Sequence, residues 1–112
     1  MTSDSNRRRA PRHMVVVPVH IDSAQRKDRL GVTRDVSNSG ALFLSNSMFA
    51  IGERLEVTFY VSAKSRSGRK AQGEVVRVEQ LETGLQWRYA MALVFAEPMP
   101  DADEVFAELE EP

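Results

Sequence analysis

Cysteine is absent from all 112 residues. That excludes disulfides, a thiol nucleophile and thiolate metal sites, and removes any need for an oxidising compartment. Histidine is scarce, with His13 and His20 only. Without cysteine, and without an H-E-x-x-H spacing, no metal site is expected. No stretch approaches the ~20 apolar residues of a membrane span. The polar N-terminus lacks the apolar run of a signal peptide. The expectation is therefore a cytoplasmic protein with no membrane span. A P-loop, a G-x-G-x-x-G fingerprint and a G-x-S-x-G nucleophile elbow are all missing. With no acid/base or nucleophile constellation in view, the chain reads as a non-enzyme without a cofactor.

What is present suffices for one folded domain. Apolar residues make up 42% of the chain, too many for a disordered protein. A chain of this length buries roughly two-thirds of its unfolded surface. The net charge of −1 conceals a segregation. Residues 7–13 hold Arg7, Arg8, Arg9, Arg12 and His13 and no acid, whereas residues 97–112 hold only acids among their charged groups. This pattern suggests an anion-seeking arm at one end and a solvated acidic tail at the other.

Strand signals dominate between these ends. Residues 14–22 alternate, with Val15, Val17, Val19 and Ile21 on one side and His20 and Asp22 on the other. Period two with β-branched residues predicts a strand, and Pro18 suggests an edge position or a bulge there. Leu30, Val32 and Val36 are expected to share a face opposite Thr33 and Asp35. Ser37–Gly40 has turn chemistry, and a short strand resumes over 41–44. Leu55, Val57, Phe59 and Val61 mark a further strand. Residues 71–79 mark the next, with Gly73 at a bulge or a close backbone approach. A long strand follows from Trp87 to Phe95. Asp101 can cap a short helix that carries Val105, Phe106 and Leu109 on one face. Six short strands without βαβ alternation predict an all-β fold, a six-stranded antiparallel barrel with a short C-terminal helix on its mouth. Residues 1–6 are expected to be a disordered start, and residues 7–110 one domain with a basic arm at 7–13.

Two motifs carry chemistry. Arg8 and Arg12 form R-x-x-x-R just ahead of the first strand. Asp35-Val36-Ser37-Asn38-Ser39-Gly40 forms D-x-S-x-x-G at the end of the second. Guanidiniums suit phosphates and the Hoogsteen edge of guanine, and a carboxylate suits guanine's N–H donors. Taken singly, each has a plainer reading. The arginines alone are a solvated basic tail. The turn alone is an ordinary hairpin bend, in which Gly40 supplies a positive φ.

Together, these motifs and the strands that follow resemble the PilZ domain family, receptors for the bacterial second messenger cyclic di-GMP, over roughly residues 6–110. Arg8-Arg9-Ala10-Pro11-Arg12 matches the family's R-x-x-x-R, and Asp35 to Gly40 matches its [D/N]-x-S-x-x-G. The last strand reads Ala92-Leu93-Val94-Phe95 where the family commonly has glycine-hydrophobic-x-Phe. This departure is expected to concern strand packing and not the ligand motifs. The resemblance implies a PilZ-like split barrel. It assigns Arg8 and Arg12 to phosphates and guanine edges, Asp35 and Ser37 to guanine, and Gly40 to the shape of the turn. An extra arginine before R-x-x-x-R is associated in the family with a stacked pair of ligands, and Arg7 holds that position.

The implied function is recognition of cyclic di-GMP by a basic arm that orders over the barrel mouth. The result would be read in trans by an unidentified effector protein, the receptor being a monomer or weak homodimer. Ordering an arm costs roughly 1–2 kcal/mol per residue, which charge-assisted contacts must exceed. The alternative is a PilZ-like adaptor that works by protein contact without ligand. DNA or RNA binding is not expected, because the chain is mildly acidic and no strand interleaves exposed aromatic and basic residues.

Overall fold

A strand with one apolar side cannot bury that side alone, and here six such strands bury theirs against one another. The computed structural model describes residues 12–60 and 69–107. Its elements are β1 (Pro18–Ser23), β2 (Arg29–Val36), β3 (Gly40–Ser45), β4 (Arg54–Phe59), β5 (Arg69–Gln80), β6 (Tyr89–Phe95) and α1 (Ala102–Ala107). Every pairing is antiparallel. The order β1-β2-β3-β6-β5-β4 closes through β4 onto β1. The expected six-stranded barrel with a short C-terminal helix is the architecture observed.

The valine alternation at the start of the chain holds: Val15, Val17, Val19 and Ile21 all enter the core. Each buried side chain of this size contributes roughly 1.5–3 kcal/mol. Pro18 sits neither on an edge nor at a bulge. It is the first residue of β1, a position that tolerates the missing donor, and its carbonyl accepts the Tyr60 N–H at 3.0 Å.

The face expected for β2 is only partly observed. Leu30 is exposed, Val32 is half-buried, and Thr33 is buried instead. The reason is a register shift between Thr33 and Asp35 in the β2–β3 ladder. A bulge inserts one residue and changes the phase of the side chains after it. Thr33 and Val36 consequently both point into the barrel, and the residues between them face away from its interior. Thr33 is satisfied in its buried place by hydrogen bonds. Its hydroxyl donates to the Val15 carbonyl at 2.5 Å and accepts the Val17 N–H at 2.8 Å.

A second shift lies in β5, between Val75 and Arg77 in the β5–β6 ladder. Val75 is buried, whereas Val76 and Arg77 are both exposed. Gly73 is not at this bulge but marks a close approach: a Cβ there would lie 2.5 Å from the Val94 carbonyl oxygen.

Phenylalanines close the ends of the barrel. Phe106 of α1 packs edge-on against Phe59, the last residue of β4, with centroids 5.7 Å apart. Phe59 meets Phe95 in the same manner at 6.2 Å. Where β3 gives way to β4, Phe49 is fully buried although its segment reads as a plain connection. The long sixth strand is shorter than expected, since Trp87 lies ahead of it and is only half-buried. Asp101, just before α1, is engaged by the Arg69 guanidinium from the start of β5. Val61 and Leu109 lie outside the described residues.

Candidate ligand-binding site

The segment before β1 carries Arg12 to the second motif, and the backbone explains how. His13 and Val36 exchange hydrogen bonds at 2.7 and 3.0 Å. Further along, the Thr33 N–H donates to the Val17 carbonyl at 2.9 Å. The chain from 13 to 17 therefore runs beside β2, fastened by the Thr33 hydroxyl in the middle and by the Val36 bridge at its end. Arg12 emerges next to Asp35, with its guanidinium 3.6 Å from the carboxylate. The Arg12 side chain is 71% exposed and that of Asp35 11%. A pair with one solvated partner contributes at most about 1 kcal/mol, so an incoming ligand can separate it at small cost. Arg7 and Arg8, the other basic residues assigned to the ligand, lie outside the described residues.

The turn after Asp35 is built from hydroxyls and main chain. The Ser37 N–H donates to the Gly40 carbonyl at 2.9 Å. The Ser37 hydroxyl accepts the Ser39 N–H at 3.2 Å, and lies 3.2 Å from the Ser39 hydroxyl and 3.4 Å from the Gly40 carbonyl. The end of β6 and the chain just beyond it brace the turn from outside. Phe95 N–H donates to the Ser39 carbonyl at 2.8 Å, and Met99 N–H to the Asn38 carbonyl at 2.7 Å.

Gly40 does not adopt the positive φ expected of it; among the described glycines only Gly52 and Gly84 do. Its requirement is space. A Cβ at Gly40 would lie 2.3 Å from the Leu93 carbonyl oxygen of the neighbouring strand. Real Cβ atoms do not come that close to an oxygen, so any side chain here pushes β3 and β6 apart.

Arg12, Asp35, Ser37 and Gly40 line one cleft of about 270 Å³, together with Ser39, Leu42, Val76, Arg77, Ala92 and Val94. Val76, Ala92 and Val94 give it apolar surface, and polar groups reach it from the β2 side and, through Arg77, from β5. Ala92, which stands where the family pattern has glycine, pairs with Leu42 of β3 and lines this cleft beside the motif residues. Sequence reasoning missed Arg77. The only signal that could have found it is the Val75-Val76 pair, where strict alternation fails.

A larger cleft, about 720 Å³, shares Val76 and Val94 with the first and extends past Glu74, Arg54, Glu56 and Lys27. Its charges are of both signs, and Arg54 and Glu74 are direct cross-strand partners. In the smaller cleft two guanidiniums, a carboxylate and serine hydroxyls converge.

His20, expected at the surface, is half-buried between two carboxylates. One ring nitrogen lies 3.4 Å from Asp22 and the other 3.0 Å from Asp28. Potential ligand atoms of these three residues fall within 4.8 Å of one another.

The sequence matches the PilZ domain model over residues 6–110, and the chain belongs to this family. Solved structures extend the likeness to three dimensions. The Bacillus subtilis inhibitor of motility, MotI/DgrA, superposes with a TM-score of 0.66 at 17% identity, covering 91% of this chain and 49% of that one. The chain thus spans about half the length of that relative. The PilZ domain of YcgR from Escherichia coli, a structure with c-di-GMP, gives a TM-score of 0.61 at 13% identity and covers 92% of this chain and 86% of that one. At such identities the likeness is one of fold. No curated protein matches the sequence significantly. Among the described residues, no helix is long and apolar enough to cross a membrane.

Proposed function

We propose that this chain is a receptor for cyclic di-GMP and that the ligand occupies the cleft between Asp35 and Arg77. The carrying observation is the meeting of the two motifs: Arg12 stands 3.6 Å from Asp35 in one cleft with Ser37 and Gly40. Asp35 accepts the N–H donors of one guanine, displacing Arg12. The freed guanidinium turns to a phosphate or to the guanine Hoogsteen edge, both of which it can meet bidentately. Ser37 shapes the turn and offers its hydroxyl beside Asp35. Arg8 supplies the second clamp. Arg7 offsets further phosphate charge, and with it a second, stacked ligand.

The cleft of about 270 Å³ falls just under the roughly 300–1,000 Å³ of small-molecule sites. It holds part of a dinucleotide, and the segment bearing Arg7 and Arg8 closes over the rest. That closure changes the surface beside the cleft, which an effector protein reads in trans. The chain acts by binding and not by catalysis. A PilZ domain solved with c-di-GMP among the structural neighbours supports the ligand class.

Isothermal titration with cyclic di-GMP tests the reading. Saturable binding is expected, with one or two ligands per chain. Arg8→Ala and Arg12→Ala should each weaken it at least tenfold, since a bidentate contact contributes about 1–3 kcal/mol. Wild-type affinity in both variants, or no binding by the parent chain, overturns it.

A further inference from the structure

We infer that the outward side of β1, β2 and β3 is a docking face for a second copy of this chain, joined to the first by a two-fold axis. A closed barrel offers no free strand edge, so a partner must meet one of its faces. The outward positions follow from the core ones. Val15, Val17, Val19 and Phe59 enter the core, so Val16, Pro18 and Tyr60 point the other way. The Tyr60 N–H bonds the Pro18 carbonyl, Pro18 pairs with Val32, and Val32 pairs with Leu44. Directly paired residues share a side of the sheet. One apolar row therefore crosses the outside of the barrel from the end of β4 to β3, with Leu30 beside it. Val16 is 78% exposed, Leu30 66% and Tyr60 42%.

The far side of the barrel gives the contrast. Between β4 and β5 the outward pairs are Arg54–Glu74, Glu56–Gln72 and Thr58–Lys70. Each is polar or charged, as the solvated face of an antiparallel sheet usually is. Large apolar side chains gathered on one exposed side mark a protein contact.

Charge identifies the partner. At the end of the face near the turn, Arg34 is exposed and has no ion pair among the described residues. At the opposite end stands Asp28, its side chain 86% exposed and one oxygen 3.0 Å from the His20 ring. The cations beside Asp28 are placed elsewhere: Arg29 pairs with Ile21, which enters the core, and Lys27 lines the larger cleft. A partner of single charge would match one end of this face and be repelled at the other. A second copy turned end for end matches both. An axis across the strands, level with Gly31, sets Leu30 of one copy against Val32 of the other and Arg34 against Asp28, each pair occurring twice. Packed sheets lie about 10 Å apart, a gap that facing arginine and aspartate side chains span. The area is modest, so association in the micromolar range is expected.

The test is sedimentation equilibrium of the full chain over a wide concentration range, without cyclic di-GMP, so its outcome is independent of the receptor reading. A monomer–dimer equilibrium is expected. Leu30→Asp, at an exposed position, should keep the fold by circular dichroism and weaken the dimer at least tenfold. Arg34→Asp and Asp28→Arg should each do the same, because like charges then oppose one another twice. Mixing these two variants should restore parent-like association, since every facing pair is again of opposite sign. A parent chain that stays monomeric at several times the micromolar range overturns the inference, as does a dimer indifferent to Leu30→Asp. Variants that weaken the dimer singly but do not recover on mixing overturn the two-fold arrangement.

Discussion

The two walls of the cleft are built to different standards of rigidity. The β2 wall is fastened at every step. Thr33 bonds the incoming segment, Val36 bridges His13, and the turn from Ser37 to Gly40 is closed on itself and braced by Phe95 and Met99. The β5 wall is held by main-chain bonds, with ladders to β4 and β6 and Val75 bonded to Gly52 and Glu53, while Arg77 projects from it into solvent with no side-chain anchor among the described residues. The difference separates two kinds of residue. Along β2, the anchoring contacts and the proposed ligand contacts fall within a few residues of one another, so changes at the anchors should disturb both stability and binding. At Arg77 a change should disturb recognition alone.

The sharpest way to break the comparison is at its most constrained atom. Gly40→Val forces a side chain against the Leu93 carbonyl, whose oxygen lies 2.3 Å from where the new Cβ would stand. A destabilisation of about 3 kcal/mol, the upper end for overpacking, is expected. For a domain of this size that is a fall in Tm of about 12 °C or more. A Gly40→Val chain that melts like the parent would show that β3 and β6 separate freely, and the rigid wall would be lost as an idea.

Thr33→Val comes next. It keeps the shape of the side chain but leaves the Val17 N–H and the Val15 carbonyl without their buried partner. About 2 kcal/mol of stability should go, measurable by urea unfolding. Because this residue fastens the segment that delivers Arg12, the folded variant should also bind cyclic di-GMP more weakly. Unchanged affinity would mean that Arg12 reaches Asp35 without this anchor.

Asp35→Ala sharpens the distinction within the β2 wall itself. Its contact with Arg12 is long, and Arg12 is largely solvated, so stability should change by less than about 1 kcal/mol. Affinity should fall tenfold or more, about 1.4 kcal/mol. Calorimetry and a thermal melt on one sample read both quantities. A large loss of stability with little loss of affinity would recast Asp35 as a structural residue.

The same contrast explains what could be read from the sequence. The β2 wall was legible because its chemistry is compressed into six consecutive residues, Asp35 to Gly40, in a chain that also carries R-x-x-x-R ahead of its first strand. The barrel was legible because valines and phenylalanines alternate along most strands. Two kinds of feature were not. Bulges shift the phase without altering composition: Leu30 and Val32 look like core beside Val36, and Val75-Val76 looks like any buried run, yet Val76 is 45% exposed. Close approaches across the sheet were hidden as well. Gly40 looks like a turn glycine, and only its distance to the Leu93 carbonyl shows that it is there for space. Arg77 combines both difficulties, since a bulge turns it outward and two strands, β3 and β6, separate it from the motif it faces.

The smallest expected effect tests whether the bulge on β2 acts by aim or by charge. Arg34 and Asp35 adjoin at the register shift, yet Asp35 lines the cleft and Arg34 is exposed without lining it. If the positive charge near the motif were what attracts the ligand, removing Arg34 should weaken binding as removing Arg12 does, and more so at low salt. If direction decides, Arg34→Ala should change neither stability nor binding free energy by more than about 0.5 kcal/mol. Titrations of Arg34→Ala at low and high ionic strength separate the two. A parent-like affinity at both would mean that the bulge selects one of two neighbouring charged residues for the site by the direction in which it points them.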